Sequence, residues 1–341
     1  MNTITFAIES SCDETSTAVL SNGNVISNVV SSQYFHKKYG GIVPELASRA
    51  HVQLIDEIAM RCLDDSGLTR KDISLVAATM GPGLIGSLLV GYNYAKGFAL
   101  SLGLPFIGID HIESHLYSCF IGKEEIEFPF IALVVSGGHT ILFLAESYSS
   151  YKVLGITHDD AAGEAYDKVA KMLGLEYPGG PLIDKLAQTG DPGFHKFPKS
   201  NIKGKPYDFS FSGIKTSVLY YLKKNFSEDI SQLPLNDIAA SFQAAVTGSL
   251  IEKTIKAAKD HNIKIIAVSG GVSANSGLRD GFREYEKKGY RIYFPEKIYS
   301  TDNAAMIGFN AFLKFSHGSI SQTEKAILQN AYARFSYGKS N

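Results

Sequence analysis

The chain runs twice through the same cycle of short apolar strands followed by helices, and that repetition constrains the fold more than any single residue. In the first cycle residues 3–8 (TITFAI), 17–20 (TAVL) and 24–30 (NVISNVV) read as strands. Asn22-Gly23 supplies the positive φ angles of a tight hairpin between the last two. Pro44 opens a helix over 44–64, with Leu46, Val52, Ile55, Ile58 and Ala59 at helical spacing. Strand 73–79, helix 86–101 and strand 105–109 follow. The second cycle has strands at 129–135, 140–145 and 151–155, then helices at 163–173, 181–188, 213–223 and 235–259. Strand 263–268, helix 275–287, strand 290–294 and helix 302–314 complete it. This order predicts a duplicated α/β domain with mixed sheets. Val135-Ser136-Gly137-Gly138 and Val268-Ser269-Gly270-Gly271 each end an apolar strand and read as an echo of the duplication, two phosphate-type turns facing one cleft. Residues 190–212 show no period, and so long a loop in a compact protein usually has a function.

At 341 residues the chain is long enough for two well-filled cores. Its net charge of −1 does not mark a nucleic-acid binder, so contact with RNA falls to local patches or to another subunit. The basic clusters are Lys37-Lys38, the run Lys196, Lys199, Lys203 and Lys205, and Arg279, Arg283, Lys287 and Lys288. Cys12, Cys62 and Cys119 form no CxxC pair, which argues for a reducing compartment. The N-terminus lacks a basic leader region, and the longest apolar stretch, 98–109, is broken by Gly103 and Pro105. A cytoplasmic protein without membrane contact is expected.

Gly81-Pro82-Gly83-Leu84-Ile85-Gly86 fits the dinucleotide fingerprint G-x-G-x-x-G, between a strand and a helix, with Asp110 ending the next strand. Three strands and a helix precede it, however, and a histidine pair follows Asp110. A tight turn whose glycines allow close strand–helix packing is the better reading.

His111 and His115 stand four residues apart, which on a helix puts both imidazoles on one face for a single metal ion; two surface or capping histidines are the rival. A zinc protease would carry H-E-x-x-H; here Glu113 falls on a different face. Ser136-Gly137-Gly138-His139-Thr140 and Ser269-Gly270-Gly271-Val272-Ser273-Ala274-Asn275 can each turn backbone N–H groups toward an anion, and the second opens a helix, whose N-terminus favours phosphate. Between the first two strands, Glu9-Ser10-Ser11-Cys12-Asp13-Glu14-Thr15-Ser16 offers Asp13 and Glu14 as metal or substrate ligands, against plain solvation of a hairpin. Cys12 is a candidate nucleophile, against a buried structural thiol. Asp167 either pairs locally or reaches a ligand hydroxyl. Thr301 or Asp302 caps the last helix, or a carboxylate there completes a two-histidine, one-carboxylate set of the kind that suits iron(II).

Taken in order, Glu9–Ser16, His111–His115, Val135–Thr140, Gly163–Lys168, Tyr177–Gly180, Phe209–Thr216, Val268–Asn275 and Thr301–Gly308 resemble the bacterial-type tRNA N6-adenosine threonylcarbamoyltransferase family, once labelled O-sialoglycoprotein endopeptidase. The likeness spans residues 4 to 310. It implies a duplicated actin-like ATPase (ASKHA) fold, with two mixed-sheet domains flanking a central cleft. The expected domains are 1–112, completed by about 310–341, and 113–309. It implies one metal ion, Fe2+ with Zn2+ as the alternative, on His111, His115 and Asp302. It further implies that Val134, Val135, Ser136, Gly137, Gly138, Asp167, Gly180, Asp184 and Asn275 contact threonylcarbamoyl-AMP or an ATP- or AMP-type nucleotide. The acceptor is then the adenosine 3′ of the anticodon in tRNA, and the partners are an inactive paralogue and a small ATPase. Asp13 and Glu14 are the candidates for taking the proton. A glycoprotease would need a secretory signal and H-E-x-x-H; a sugar kinase or chaperone-type ATPase leaves the two histidines and Asp302 unexplained.

Overall fold

The computed structural model describes residues 2–33, 39, 41–123, 125–148, 150–199, 201–226, 233–318 and 327–335; Lys37 and Lys38 lie outside them. The elements run β1 (Ile4–Glu9), β2 (Glu14–Ser21), β3 (Asn24–Ser32), α1 (Pro44–Ser66), β4 (Leu75–Gly81), α2 (Ile85–Leu102), β5 (Phe106–Asp110) and α3 (His111–Ser118). Then come β6 (Phe130–Val135), β7 (Thr140–Ser147), β8 (Ser150–Ile156), α4 (Ala162–Met172), α5 (Gly179–Ala187), α6 (Ser212–Asn225) and α7 (Leu235–Asp260). β9 (Ile265–Ser269), α8 (Ser276–Glu286), β10 (Arg291–Tyr293) and α9 (Ala304–Ser316) close the order. The sequence-based elements all appear, shifted by a few residues at their ends. Asn22 and Gly23 take φ of 49° and 79°, as the hairpin requires.

Two five-stranded sheets form, in the orders β3-β2-β1-β4-β5 and β8-β7-β6-β9-β10. Strand for strand the two orders are the same, with β1 matching β6 and β4 matching β9. In each, the central strand pairs antiparallel with the next strand in sequence and parallel with the fourth. β1 and β6 are buried along their whole length, as expected of strands covered on both faces. Each sheet has its own core. Phe6, Ile8, Val76 and Phe106 pack with α1 and α2 in the first, and Ile131, Leu133, Ile266 and Val268 pack with α4 and α7 in the second.

The echo between the two Val-Ser-Gly-Gly stretches has a different origin from the one expected. Both belong to the second sheet, where β6 and β9 are parallel neighbours with Leu133 opposite Val268 and Val134 opposite Ser269. By strand position, the first-sheet counterpart of the turn after β9 is Gly81-Pro82-Gly83 after β4. The counterpart of the turn after β6 is the segment after Glu9.

The chain divides into two compact units. One comprises 1–126, 148–150 and the described part of 301–341; the other comprises 127–147 and 151–300. The boundary thus falls after residue 126 rather than 112, and residues 301–309, expected in the second unit, lie in the first. α3 is the reason. Its buried Glu113 pairs with Lys314 of α9 at 2.8 Å, and Asn310 donates to Ser114 at 3.4 Å. α9 in turn lies on β1 and β2, so close that a Cβ on Gly308 would sit 3.1 Å from that of Ala7.

The long stretch 190–212 ends in ordered backbone at the free edge of the second sheet. Phe209 bridges to Thr157 in parallel, Asp208 accepts from the Ile156 N–H at 3.1 Å, and Phe209 and Phe211 are fully buried. Isolated aromatic anchors, rather than a period, hold this segment.

Gly270 has φ +85°, and a Cβ there would meet the Val135 carbonyl oxygen at 2.4 Å. Gly270→Ala should therefore destabilise the second unit by about 2 kcal/mol or more, read as a lowered midpoint in thermal or urea unfolding.

Candidate metal centre

β5 delivers the chain to α3 through Asp110, whose Oδ1 accepts from the Glu113 N–H at 2.9 Å and caps the helix. His111 and His115 then lie one turn apart on the same face, with ring centroids 4.7 Å apart and planes at 87°. On the opposing element, α9 is capped by Asn303, whose side chain accepts from the Met306 N–H at 3.1 Å. Neither Thr301 nor Asp302 caps that helix. The Asp302 carboxylate points instead at the histidines: its Oδ1 lies 3.1 Å from His115 Nε2 and 3.5 Å from His111 Nε2. One ligand atom from each of the three residues falls within 4.8 Å of the other two.

The donor set fits a divalent cation. Glu9 Oε2 sits 2.9 Å from His111 Nδ1. An ionised carboxylate only accepts, so Nδ1 carries the proton and Nε2 faces Asp302. A histidine held by a carboxylate through its far nitrogen is the usual second layer of a metal site. His115 is fully buried, and its Nδ1 has no hydrogen-bond partner.

Charge around the triad is one-sided. Burial opposes ionisation of His111, yet Asp302 and Glu9 outweigh it and push its pKa up to about 9. Burial would raise Glu9, but His111 pulls it below the ordinary carboxylate range. Glu14 is held well above that range by burial, then by Asp302 and Asp13. Of the two acidic candidates from the first loop, Glu14 thus feels Asp302 directly. The Cys12 thiol is likewise held well up by burial, then by Asp13 and Asp302. A thiol so disfavoured as thiolate is not a nucleophile.

In the second unit Asn275 and Asp184 are linked through Gln243, and Asp167 is held separately. Asn275 caps α8 by accepting from the Leu278 N–H at 2.9 Å, and donates to Gln243 at 2.6 Å. Gln243 in turn donates to Asp184 at 3.0 Å, and Asp184 accepts from the Ser276 hydroxyl at 2.8 Å. Tyr166 reaches Gln243 at 3.4 Å. Asp167 accepts from the Gly179 N–H at 2.8 Å, fixing the start of α5 beside Gly180. Val134 and Val135 are buried strand residues. Ser136 to His139 form a tight turn in which the Ser136 N–H donates to the His139 carbonyl at 2.8 Å. Space for a Cβ is open at both Gly137 and Gly138. Glu9, Tyr166, Gln243 and Ser276 had drawn no role from the sequence. Of these only Glu9, a carboxylate ending an apolar strand, carried a local signal.

Several of the basic residues are already engaged. Lys199 pairs with Glu252 and Lys205 with Asp208. Arg283 pairs with Asp280, Lys287 with Glu284, and Arg279 donates to the Ser273 and Pro295 carbonyls. No described helix is long and apolar enough to cross a membrane.

A repeated mixed sheet with this topology defines an actin-like ATPase fold, here with a His-His-Asp triad in its first unit. Solved structures agree on the fold. HypF of T. kodakarensis matches with a TM-score of 0.63 at 14% identity, over 93% of this chain and 48% of that one. Component A of (R)-2-hydroxyglutaryl-CoA dehydratase from Acidaminococcus fermentans matches with 0.52 at 14% identity, over 93% and 99%. The chain belongs to the tRNA N6-adenosine threonylcarbamoyltransferase family, whose model matches residues 24–309. It is 50% identical over 325 residues to a tRNA N6-adenosine threonylcarbamoyltransferase of Chlorobium phaeobacteroides (strain BS1), covering 92% of this chain and 93% of that protein. It is 49% identical over 322 residues to one of Clostridium perfringens (strain 13 / Type A), covering 94% and 95%. The chain is therefore a transferase.

In the metal-free protein the protonated His111 stabilises the fold fully below its ordinary pKa of 6.5, and that contribution fades as pH rises through about 9. A cation competes with this proton. Zn2+ affinity measured by calorimetry should climb between these two values, by up to about tenfold per pH unit, and His111→Ala should flatten the profile.

Proposed function

We propose that the chain transfers the threonylcarbamoyl group of threonylcarbamoyl-AMP to the N6 amine of the adenosine 3′ of the anticodon, position 37, in tRNAs reading codons that begin with A. The family supplies the reaction class, and the triad of His111, His115 and Asp302 is the observation that carries the chemical reading. These three residues would hold one metal ion, Fe2+ or alternatively Zn2+. Such an ion supplies Lewis acidity toward an acyl or phosphoryl oxygen.

The donor is a mixed carbamic–phosphoric anhydride, so attack by the exocyclic amine breaks the bond to the phosphate and releases AMP. The amine is itself the nucleophile, and no covalent enzyme intermediate is needed. Glu9 holds His111 in one tautomer and one orientation. Backbone N–H groups of Gly137 and Gly138, in the turn that Ser136 closes by its own N–H bond to His139, are suited to an oxyanion or phosphate. Asp167, Gly180, Asp184 and Asn275 are proposed as donor contacts, with an ATP- or AMP-type nucleotide as their ligand class. Hydrogen bonds from Gly179 to Asp167, from Asn275 to Gln243 and from Ser276 to Asp184 hold these side chains in place. Asp13 and Glu14 remain the candidates to accept the proton of the amine. Burial, Asp302 and Asp13 raise Glu14, and it can take the proton only while ionised.

Transfer to tRNA is proposed to take place in the cytoplasm, with an inactive paralogue and a small ATPase as partner proteins. Of the basic candidates, the segment containing the exposed Lys196 and Lys203 is the better tRNA contact. The arginines of α8 serve their own helix and its neighbours.

The test follows labelled threonine from threonylcarbamoyl-AMP into unmodified tRNA, with partner proteins present. Wild type should label the adenosine beside the anticodon. His111→Ala and Asp302→Ala should each lower the rate by about 100-fold or more, beyond the usual cost of losing an outer-layer partner. No label with wild type, beside an active control enzyme, would return the kinase or ATPase class to the front.

A further inference from the structure

The last described segment, residues 327–335, crosses the turn that follows β4. The Tyr332 N–H donates to the Met80 carbonyl at 2.9 Å, and the Gly83 N–H donates to the Ala333 carbonyl at 3.3 Å. Upstream, the Gln329 carbonyl accepts from Lys96 Nζ at 2.7 Å and from the Tyr92 hydroxyl at 3.3 Å. Gly81 lies directly beneath this strap, and a Cβ there would meet the Tyr332 carbonyl oxygen at 2.2 Å. The glycine that imitates a dinucleotide fingerprint is therefore needed for another stretch of the same chain.

The strap ends in a directed contact. The Tyr332 hydroxyl donates to Asp110 Oδ2. The other oxygen of that carboxylate caps α3 through the Glu113 N–H, and the Asp110 carbonyl accepts from the Ser114 hydroxyl at 2.9 Å. α3 has only 8 residues. So short a helix has little stability of its own, and it is held by its burial, by Lys314 on Glu113 and Asn310 on Ser114, and by its cap. His111 is the first residue after the cap, and His115 lies one turn on. A hydroxyl donating to an ionised carboxylate is among the stronger neutral–charged hydrogen bonds. Fixing both oxygens of Asp110 fixes the torsion of the cap, and through it the start of the helix that carries both imidazoles.

We infer that Tyr332 is a positioning residue for the metal centre: through Asp110 the C-terminal strap sets the orientation of α3 and so of His111 and His115. The inference rests on the metal reading given above. Tyr332 touches none of the three ligands and acts only through the cap. Metal ligation is demanding, with bond lengths held within about 0.2 Å, so a small tilt of α3 registers as lost affinity.

The test is a Co2+ titration of the full chain, followed by visible absorbance, which reports both affinity and ligand geometry. Tyr332→Phe keeps the ring and the strap's backbone bonds and removes only the hydroxyl. It should weaken Co2+ binding by about 5- to 10-fold, at the low end for outer-layer partners, and alter the absorption bands. Asp110→Asn keeps a good cap but loses the charge. In that background Tyr332→Phe should cause little further loss. Unchanged affinity and spectrum in Tyr332→Phe would overturn the inference, as would an equal loss in both backgrounds. Failure of the metal reading is separately visible: wild type would then show no Co2+ binding that His111→Ala abolishes, and the inference would fall with it.

Discussion

The contact between Glu9 and His111 is the interaction on which the first unit's site depends. Glu9 ends β1 and is fully buried. Its Oε2 accepts from Thr79 of β4 at 2.6 Å and faces His111 Nδ1 at 2.9 Å. Its Oε1 takes the Ser11 N–H of the following loop. One carboxylate thus ties together two strands, the first loop and the helix that carries both histidines. Isolated, such a buried charge would be costly; here each carboxylate oxygen has at least one donor. The same bond decides which nitrogen of His111 is left for a cation, so the position of a single proton links fold to chemistry.

Duplication sets the frame in which that contact arises. The two sheets share one strand order, and the equivalent turns have taken different work. After β9, Gly270 admits the backbone of β6. After β4, Gly81 admits the strap that carries Tyr332. After β6 the chain makes a tight turn with open glycines, whereas after β1 it makes an acidic loop around a carboxylate. The same sheet edge therefore offers amides in one unit and negative charge in the other.

Much of the fold was legible because periodicity reports burial, and both sheets are covered by helices that show it. The echo of Val-Ser-Gly-Gly misled because neighbouring parallel strands of one sheet face the same packing demands as strands in equivalent positions. The domain boundary was missed because it depends on Glu113 pairing with Lys314, a long-range contact. At the site, the spacing of His111 and His115 offered one face for a metal but did not by itself exclude two surface or capping histidines. Asp302 was not readable: the helix start at Thr301-Asp302-Asn303 offers three capping residues, and only the observed bond from Met306 to Asn303 leaves the aspartate over. Asp167, Asp184 and Asn275 each make hydrogen bonds that hold a helix start or a neighbouring side chain, which no motif discloses. Gln243 and Tyr166 sit on helices that read as core, so their part in that network was invisible.

The central claim is that His111, His115 and Asp302 hold one metal ion. Anomalous diffraction from crystals of the full-length protein grown with Zn2+ tests it most directly. The account predicts one strong peak per chain, about 2.0–2.2 Å from His111 Nε2, His115 Nε2 and an Asp302 oxygen, absent in Asp302→Ala. A peak bound elsewhere, or none in a protein whose three side chains stand as described, would contradict it.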